Sequence, residues 1–287
     1  MNKCVRKYPF YYERWGQVRE HMSRCVARID FLGTGNAFCP SGRMHALAIL
    51  DQKILIDAPP TLLAQLRRAN ISTGQIEHVL FTHWHGDHAF GFPFLILDRK
   101  YISDPSGEKS ITVHHRLGGK EYLGTLSKLG FPGSLEDFLE TKIHWNDAES
   151  GFLDSSEWKY ERFPVQHTPE TDPHGYELIH HSGFKLLHCG DSGPCSEIES
   201  RAENADVVLL EMGMPDIGEF PHHHRPSDVI AFSERFPQSK VLVTHSYAKS
   251  PNSEFGFDIP EMPEEIIQLN DGDYIEVDSE GNFTVNN

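Results

Sequence analysis

The sequence predicts an α/β fold in which β-sheets are covered by helices. Short apolar runs recur along the 287-residue chain, each rich in Val, Ile, Leu and Phe and each stopped by Gly, Pro, Asp or His. Such runs are typical of buried strands. Amphipathic helical patterns lie between some of them, and this mixture is typical of layered α/β domains.

The predicted strands lie between residues 27 and 277, with helices between them. The strands are expected in ARIDFLGTG, HALAIL, KILIDAP, HVLFTH, ITVHH, YERFPVQH, YELIHH, KLLHCGD, ADVVLLE, KVLVTH and YIEV. The first helix, PTLLAQLRRANI, begins with a proline in its first turn, where proline is tolerated. The second, SLEDFLETK, opens on Ser134 with Asp137 three residues later, close to a capping box. The third, SDVIAFSERF, takes Ser227 as its N-cap.

Residues 1–26 are predicted to be an N-terminal extension, and residues 27–287 a single domain. The extension contains an aromatic cluster that we expect to pack on the body of the protein; a homodimer contact and a substrate lid are the alternatives. The cluster comprises Tyr8, Phe10, Tyr11, Tyr12 and Trp15. Residues 100–160 are richer in Gly, Ser and charged residues, so an insertion near the mouth of the active site is predicted there.

The charge and hydropathy of the chain limit its partners and location. Lys and Arg number 26 and Asp and Glu 42, which gives a net charge of −16. A surface this acidic repels polyphosphate, so general nucleic-acid binding is disfavoured. No run approaches the roughly 18 apolar residues of a membrane span, and the first residues lack the apolar block of a signal peptide. We therefore expect a cytoplasmic protein that does not bind membranes.

The cysteines indicate reduced thiols. There are five, an odd number, and no CxxC pair occurs: Cys4, Cys25, Cys39, Cys189 and Cys195. This pattern argues against a disulfide framework and against a cysteine-ligated structural zinc. We expect mostly buried, reduced side chains, with Cys189 in the core.

Three histidines and an aspartate fall within six residues of THWHGDH: His83, His85, Asp87 and His88. We predict that they lie on a loop, because a turn permitted by Gly86 can aim the first pair at one point and the second pair at another. Neutral imidazole and carboxylate groups are ligands for zinc, iron or manganese. One ion needs at least three protein ligands, so two such points require further donors elsewhere in the chain.

Three later residues supply such donors. His167, Asp191 and His245 each follow an apolar run, at the end where open α/β sheets present their active sites. A single HxH pair is weak evidence, whereas HxHxDH with three further donors at strand ends is specific. The sequence therefore predicts a metal centre.

This combination resembles the metallo-β-lactamase superfamily. THWHGDH is similar to its metal-binding motif, FLGTGNAF to its first strand and loop, LIDAPP to its aspartate segment, and LNDGDYIEV to its closing strand. The resemblance spans roughly residues 27–277. It implies an αββα sandwich of two mixed β-sheets flanked by helices, so that residues 27–287 form a metallo-β-lactamase-like hydrolase domain.

The resemblance also implies which ligands would hold each of two metal ions. One ion would be held by His83, His85 and His167, the second by Asp87, His88 and His245, with Asp191 bridging the two. Such ions lie about 3.5–4 Å apart, and a hydroxide between them, oriented by Asp87, would be the nucleophile. Asp57 would fix the tautomer of a ligand histidine. The implied cofactors are two divalent ions, with Zn²⁺ preferred and Mn²⁺ or Fe²⁺ as alternatives.

Within the superfamily, DAPPTLLAQL and GTGNAF resemble the phosphodiesterase branch, which includes tRNA 3′-processing endonucleases and cyclic-phosphate phosphodiesterases. His85 stands where oxygen-reducing di-iron members have Glu, which argues against a redox role. The branch has a further histidine about twenty residues before the last ligand. The run His222–His224 supplies it, and we predict that His223 or His224 is the general acid that protonates the departing alkoxide.

The sequence thus predicts a binuclear metal-dependent hydrolase, with a small or cyclic phosphodiester as substrate. A thioester or lactone hydrolase on the same scaffold is one alternative. A non-catalytic accessory protein of cofactor biosynthesis is another, although the complete ligand set argues against it. Beside the ligands, Arg43 and His45 are expected to face the cleft, and Ser192 to hydrogen-bond within the site.

Overall fold

The structure, a computed structural model, describes residues 25–286. Residues 1–24, which include Cys4 and the aromatic cluster of the expected extension, lie outside the described residues. The first strand begins at Cys25. Within residues 25–286, the structure contains no helix that is both long and apolar enough to cross a membrane.

The strands form two sheets. In chain order they are β1 (Cys25–Gly33), β2 (Leu47–Leu50), β3 (Ile54–Ile56), β4 (His78–Leu80), β5 (Ile111–His114), β6 (Ile143–Asn146), β7 (Ser150–Phe152), β8 (Trp158–Pro164), β9 (His174–His180), β10 (Lys185–His188), β11 (Val207–Glu211), β12 (Lys240–Thr244), β13 (Ile267–Gln268), β14 (Tyr274–Asp278) and β15 (Phe283–Asn286). The first sheet has eight strands in the order β15-β14-β1-β2-β3-β4-β5-β6, and the second has seven in the order β13-β12-β11-β10-β9-β8-β7.

Both sheets mix parallel and antiparallel pairing. The first is parallel from β3 to β6 and antiparallel elsewhere. The second is parallel from β10 to β13 and antiparallel from β7 to β10. The helices are α1 (Leu62–Arg68), α2 (Gly86–Ala89), α3 (Phe92–Asp98), α4 (Gly119–Gly130), α5 (Glu136–Thr141), α6 (Ser196–Ala202) and α7 (Pro226–Arg235).

Alternation along the strands creates three apolar layers. In β11, Val207 and Leu209 join residues of both sheets in a central core. Val208 and Leu210 point the opposite way and pack with α6 and α7. This period of two is the geometry of a strand buried on both faces. The first sheet packs its other face on α1, α3, α4 and α5 in a third cluster. The predicted sandwich of two mixed sheets flanked by helices is confirmed.

All three predicted helix starts are wrong, and α1 begins at Leu62, two residues after Pro60. Helix α7 begins at Pro226, one residue before the expected N-cap Ser227, because Asp228 accepts a hydrogen bond from the backbone N–H of Arg225 at 3.0 Å. Helix α5 begins at Glu136, where the carboxylate of Glu136 accepts from the backbone N–H of Gly133 at 2.9 Å. In α7 and α5 a carboxylate inside the first turn therefore bonds a backbone N–H group that precedes the helix, a contact that the predicted serine caps did not include.

The insertion predicted in residues 100–160 is also wrong. This stretch contributes β5 and β6 to the first sheet and β7 to the second, and it contains α4 and α5. It therefore carries the chain from one sheet to the other. Its polar composition reflects exposed edge strands, since β7 is exposed or half-buried throughout.

The burial of the central core leads to a prediction about the free energy of unfolding. Leu178 in β9 is completely buried between the sheets. Leu178→Ala should reduce the free energy of unfolding by about 2–5 kcal/mol, because it removes buried apolar contacts and leaves a cavity. The measurement is urea unfolding followed by far-UV circular dichroism. Leu129→Ala is the matched control, since Leu129 is 78% exposed; equal losses for the two variants would contradict this description of the core.

Candidate metal centre

The predicted ligands meet at one edge of the sandwich. His83 and His85 follow β4, His167 follows β8, Asp191 follows β10 and His245 directly follows β12. The last two strands belong to the parallel part of the second sheet, where strand ends meet at a common edge. Residues from both sheets thus converge on the seam between them.

The local backbone differs in one respect from the predicted loop. Asp87 and His88 lie in the single turn of α2, and His85 occupies its N-cap position. Gly86 has no left-handed conformation; a Cβ there would approach the ring of Phe90 to 2.8 Å. Gly86 is therefore explained by close packing of the helix start and not by a turn.

Two other residues at the site do adopt left-handed backbone angles. Asp57 has φ of 68° and His245 has φ of 47°. Such conformations are costly for residues other than glycine and persist where the surroundings fix them. Hydrogen bonds hold Asp57 in place, because the backbone N–H and hydroxyl of Thr82 donate to its carboxylate at 2.8 and 2.7 Å.

The first ligand group consists of three imidazoles and one carboxylate. Nδ1 of His85 lies 3.1 Å from Nε2 of His83 and 3.1 Å from Nε2 of His167. Asp191 completes the group, since four ligand atoms of these residues lie within 4.8 Å of one another. Two nitrogens bound tetrahedrally to one zinc ion at 2.0–2.1 Å are about 3.3 Å apart, so this spacing fits a shared cation.

The second ligand group combines two carboxylates and two imidazoles. Oδ2 of Asp87 lies 3.3 Å from Nε2 of His88 and 3.3 Å from Nε2 of His245. Asp191 belongs to this group as well: its Oδ1 is 3.4 Å from His88 and its Oδ2 is 3.2 Å from His245. The Asp191 carboxylate is therefore common to both groups.

The charges around the ligand groups suit cation binding. Burial lowers the pKa of His83, His85 and His167, so their rings are neutral near pH 7 and keep a free lone pair. Burial also lowers the pKa of His88, but the charges of the three surrounding aspartates outweigh it and raise the pKa well above its usual value. Nε2 of His88 is buried without a hydrogen-bond partner. A negative field around an unpartnered nitrogen is the environment of a cation ligand.

Hydrogen bonds on the side away from the ligand groups orient two of the ligand histidines. Nδ1 of His88 donates to Oδ2 of Asp57 at 2.8 Å, and Nδ1 of His167 donates to the carbonyl of His222 at 2.8 Å. Each bond fixes the tautomer with the lone pair of Nε2 directed into the site. Asp57, expected behind a ligand histidine, thus contacts His88.

The structure separates the two general-acid candidates. The ring of His223 lies 4.9 Å from that of His167 and is stacked at 6.2 Å on that of His245, centroid to centroid. The ring of His224 is buried, its Nδ1 donates to the carbonyl of Ser192 at 2.6 Å, and it lines a small cavity with Asp228. Of the two, His223 borders the ligand groups.

Sequence reasoning missed Glu211. Its Oε1 accepts from Nδ1 of His223 at 2.8 Å and from the backbone N–H of His224 at 3.1 Å. Burial lowers the pKa of His223, but the hydrogen bond and charge of Glu211 outweigh it and raise the pKa to about 9. Glu211 ends β11. This is the strand-end signal that identified Asp191 and His245, so the sequence did contain the information.

The other residues that were predicted at the site have different environments. Arg43 is buried and donates to the carbonyls of Leu269 at 2.7 Å and Ala248 at 3.0 Å, so its guanidinium ties loops together and does not face the cleft. His45 contacts Thr61 at 3.2 Å. The backbone N–H of Ser192, a residue expected to hydrogen-bond within the site, donates to Glu211 at 3.3 Å. Cys189 is in the core, as predicted, but Cys25 is exposed and Cys39 and Cys195 are half-buried, so the expectation of mostly buried cysteines is wrong for the described residues.

Comparisons with known proteins agree with this architecture. The family model described as Anti-Pycsar protein Apyc1 matches residues 27–255. A ribonuclease Z of Staphylococcus carnosus is 26% identical over 273 residues, which covers 76% of this chain and 87% of that protein. Matches to ribonuclease Z of Listeria species span between 40% and 60% of those proteins.

Solved structures show the same fold. The metallo-β-lactamase fold protein YhfI from Bacillus subtilis has a TM-score of 0.64 at 12% identity and covers 87% of this chain and 99% of its own. A diphosphatase from the PhnP family has a TM-score of 0.62 at 20% identity and covers 86% of this chain and 96% of its own. These likenesses establish the metallo-β-lactamase fold.

The contact between Asp57 and His88 makes a prediction about metal affinity. Asp57→Asn removes the charge behind His88 and should weaken binding of a divalent ion about 10–100-fold, as losses of such supporting contacts do. The measurement is titration of the metal-free protein with Zn²⁺ by calorimetry. Asp137→Asn is the control, because the side chain of Asp137 is 73% exposed. Unchanged affinity in Asp57→Asn would contradict the supporting role.

Proposed function

The chain belongs to the Anti-Pycsar protein Apyc1 family and is a metal-dependent hydrolase of the metallo-β-lactamase fold, and we propose that it is a binuclear phosphodiesterase for a small or cyclic phosphodiester. One observation carries the proposal: the Asp191 carboxylate is shared by two convergent ligand groups, with the His223–Glu211 pair beside them. Two adjacent cations and a proton donor are the parts that in-line displacement at phosphorus requires.

The residues would hold the ions as follows. His83, His85 and His167 would bind one, Asp87, His88 and His245 the other, and Asp191 would contact both. Bound there, two divalent ions supply Lewis-acid stabilisation of charge on the phosphoryl oxygens and activate water at neutral pH. Zinc is the ion we propose, because neutral imidazoles and carboxylates suit it; manganese and iron(II) are the alternatives.

His223 would protonate the leaving alkoxide. Glu211 holds its Nδ1, which directs the opposite edge of the ring toward the space beside His167 and His245. With a pKa raised to about 9, the ring carries a proton at neutral pH, as a general acid must. Asp87, which lies between His88 and His245, would accept a hydrogen bond from the attacking water and orient it.

The substrate is proposed to be small on grounds of charge. A net charge of −16 opposes the approach of a long polyanion, whereas a single phosphodiester carries one charge. The relatives named ribonuclease Z support the bond type. They also favour a second candidate, cleavage of an RNA strand, which the acidic surface disfavours.

The reaction class is tested by comparing two substrates on the zinc-loaded protein. We expect hydrolysis of bis(p-nitrophenyl) phosphate and no comparable hydrolysis of an acyl thioester or a lactone. Both reactions are followed by absorbance, with the metal-free protein as the control. Hydrolysis of the acyl substrates alone would assign the site to thioester or lactone chemistry. Two bound ions without turnover of any ester would favour the accessory role.

Substrate size is tested with natural phosphodiesters. We expect turnover of cyclic nucleoside monophosphates, each of which contains a single cyclic phosphodiester, to exceed cleavage of a structured RNA at equal concentration of scissile bonds. Product analysis by chromatography and by gel measures the two. Preferential cleavage of the RNA would overturn the proposal of a small substrate and favour the second candidate.

The role of His223 is tested through the leaving group. His223→Ala should lower kcat about 10²–10⁴-fold for a substrate with an alkoxide leaving group, because the proton donor is lost. For bis(p-nitrophenyl) phosphate the loss should be much smaller, since p-nitrophenolate departs without protonation. The zinc content, measured by elemental analysis, should not change.

The matched control is His222→Ala, because the side chain of His222 is exposed and the hydrogen bond from His167 is accepted by its main-chain carbonyl, which the substitution keeps. This variant should retain nearly full activity on both substrates. Equal losses on both substrates in His223→Ala would indicate a structural role for His223 and would contradict general-acid catalysis.

A further inference from the structure

A second cluster of metal-capable side chains lies far from the candidate centre. It consists of Glu157, His180 and His181, and we call it the turn cluster. His180 is the last residue of β9, whose first residue, His174, donates its backbone N–H to Thr82 beside the ligands. A seven-residue strand places its ends about 20 Å apart, so the turn cluster is at the opposite end of the second sheet.

The three donors of the turn cluster converge. Oε2 of Glu157 lies 3.3 Å from Nε2 of His180 and 3.1 Å from Nδ1 of His181. One donor atom from each residue lies within 4.8 Å of the other two. The backbone holds this arrangement, since the N–H of His181 donates to the carbonyl of Glu157 at 2.9 Å.

The decisive feature is His180. Its side chain is completely buried, and its Nε2 has no hydrogen-bond partner even though it faces Glu157. Nδ1 of the same ring lies 2.9 Å from the hydroxyl of Ser182. The backbone N–H of Ser182 also donates to Nδ1 at 3.3 Å, so Nε2 carries the ring hydrogen when no ion is bound. A bound ion would take the place of that hydrogen at Nε2, and Nδ1 would then donate to the hydroxyl of Ser182. A buried nitrogen that faces a carboxylate without a hydrogen bond is a position that a cation can fill.

We propose that the turn cluster is a separate binding site for a divalent transition metal of the zinc class. Two imidazoles and one carboxylate are donors that zinc, copper and nickel accept in proteins. Three protein ligands leave a coordination position for water, and the other two ligands are largely exposed, with Glu157 57% and His181 62% accessible. An ion can therefore enter without opening the fold.

A bound ion would link two turns of the second sheet. Glu157 lies in the turn between β7 and β8, and His181 lies in the turn between β9 and β10. The adjoining strands pair directly, with Trp158 opposite His180. A cation held by both turns binds the folded state and not the unfolded chain, so it raises stability by mass action. The site thus has a structural role that does not depend on the proposed reaction.

The test counts zinc ions on the full chain. Metal-free protein is titrated with Zn²⁺ by calorimetry, for the unmodified protein and for His181→Ala and Glu157→Gln. We expect each variant to bind one equivalent less than the unmodified protein and to show a smaller zinc-dependent rise in Tm. His144→Ala is the matched control, since His144 is an exposed histidine of β6 outside the turn cluster, and it should bind the full complement.

Hydrolysis of bis(p-nitrophenyl) phosphate separates the two sites. Both variants should retain the activity of the unmodified protein, because the turn cluster is remote from the candidate centre. Equal stoichiometry and affinity in all four proteins would overturn the proposal and leave an ion pair only. A variant that lost hydrolysis together with its zinc would also overturn it, because the ion counted would then belong to the candidate centre.

Discussion

The structure depends on placing one buried carboxylate, that of Asp191, between two groups of imidazoles. Only 4% of Asp191 is exposed, and an isolated charge at such a position is strongly disfavoured. Burial raises its pKa, but His245 and His88 outweigh that effect and hold the pKa well below its usual range. The carboxylate is therefore ionised, and its charge interacts with these neighbours. Those neighbours come from both sheets, so the site can form only when the two sheets pack in this arrangement.

The fold meets this constraint with strand ends and hydrogen bonds. Parallel strands β10, β11 and β12 bring Asp191, Glu211 and His245 to one edge, and β4 brings the histidine motif from the other sheet. Asp57 and the carbonyl of His222 then fix the ligand rings from outside. Rings oriented in advance lose little freedom when a cation binds, which is the physical basis of a selective site.

The sequence predicted those parts that depend on local pattern. Asp191 and His245 could be found because a polar residue that ends a buried apolar run must lie at a sheet edge. Ser227 was misassigned because the carboxylate of Asp228 accepts from the backbone N–H of Arg225 and the hydroxyl of Ser227 donates to Asp216, contacts that composition does not reveal. The choice between His223 and His224 depends on the path of a loop over Glu211, which only the folded chain determines. Strand β7 was missed because three largely exposed residues carry no apolar signal.

The central proposal is that the Asp191 carboxylate would contact two cations at once. It is tested most directly by anomalous X-ray diffraction from crystals of the zinc-loaded protein, with data collected on both sides of the zinc absorption edge. The account predicts two peaks at the candidate centre, about 3.5–4 Å apart, one beside His83, His85 and His167 and the other beside Asp87, His88 and His245. A single peak there, or two peaks without the Asp191 carboxylate between them, would contradict it.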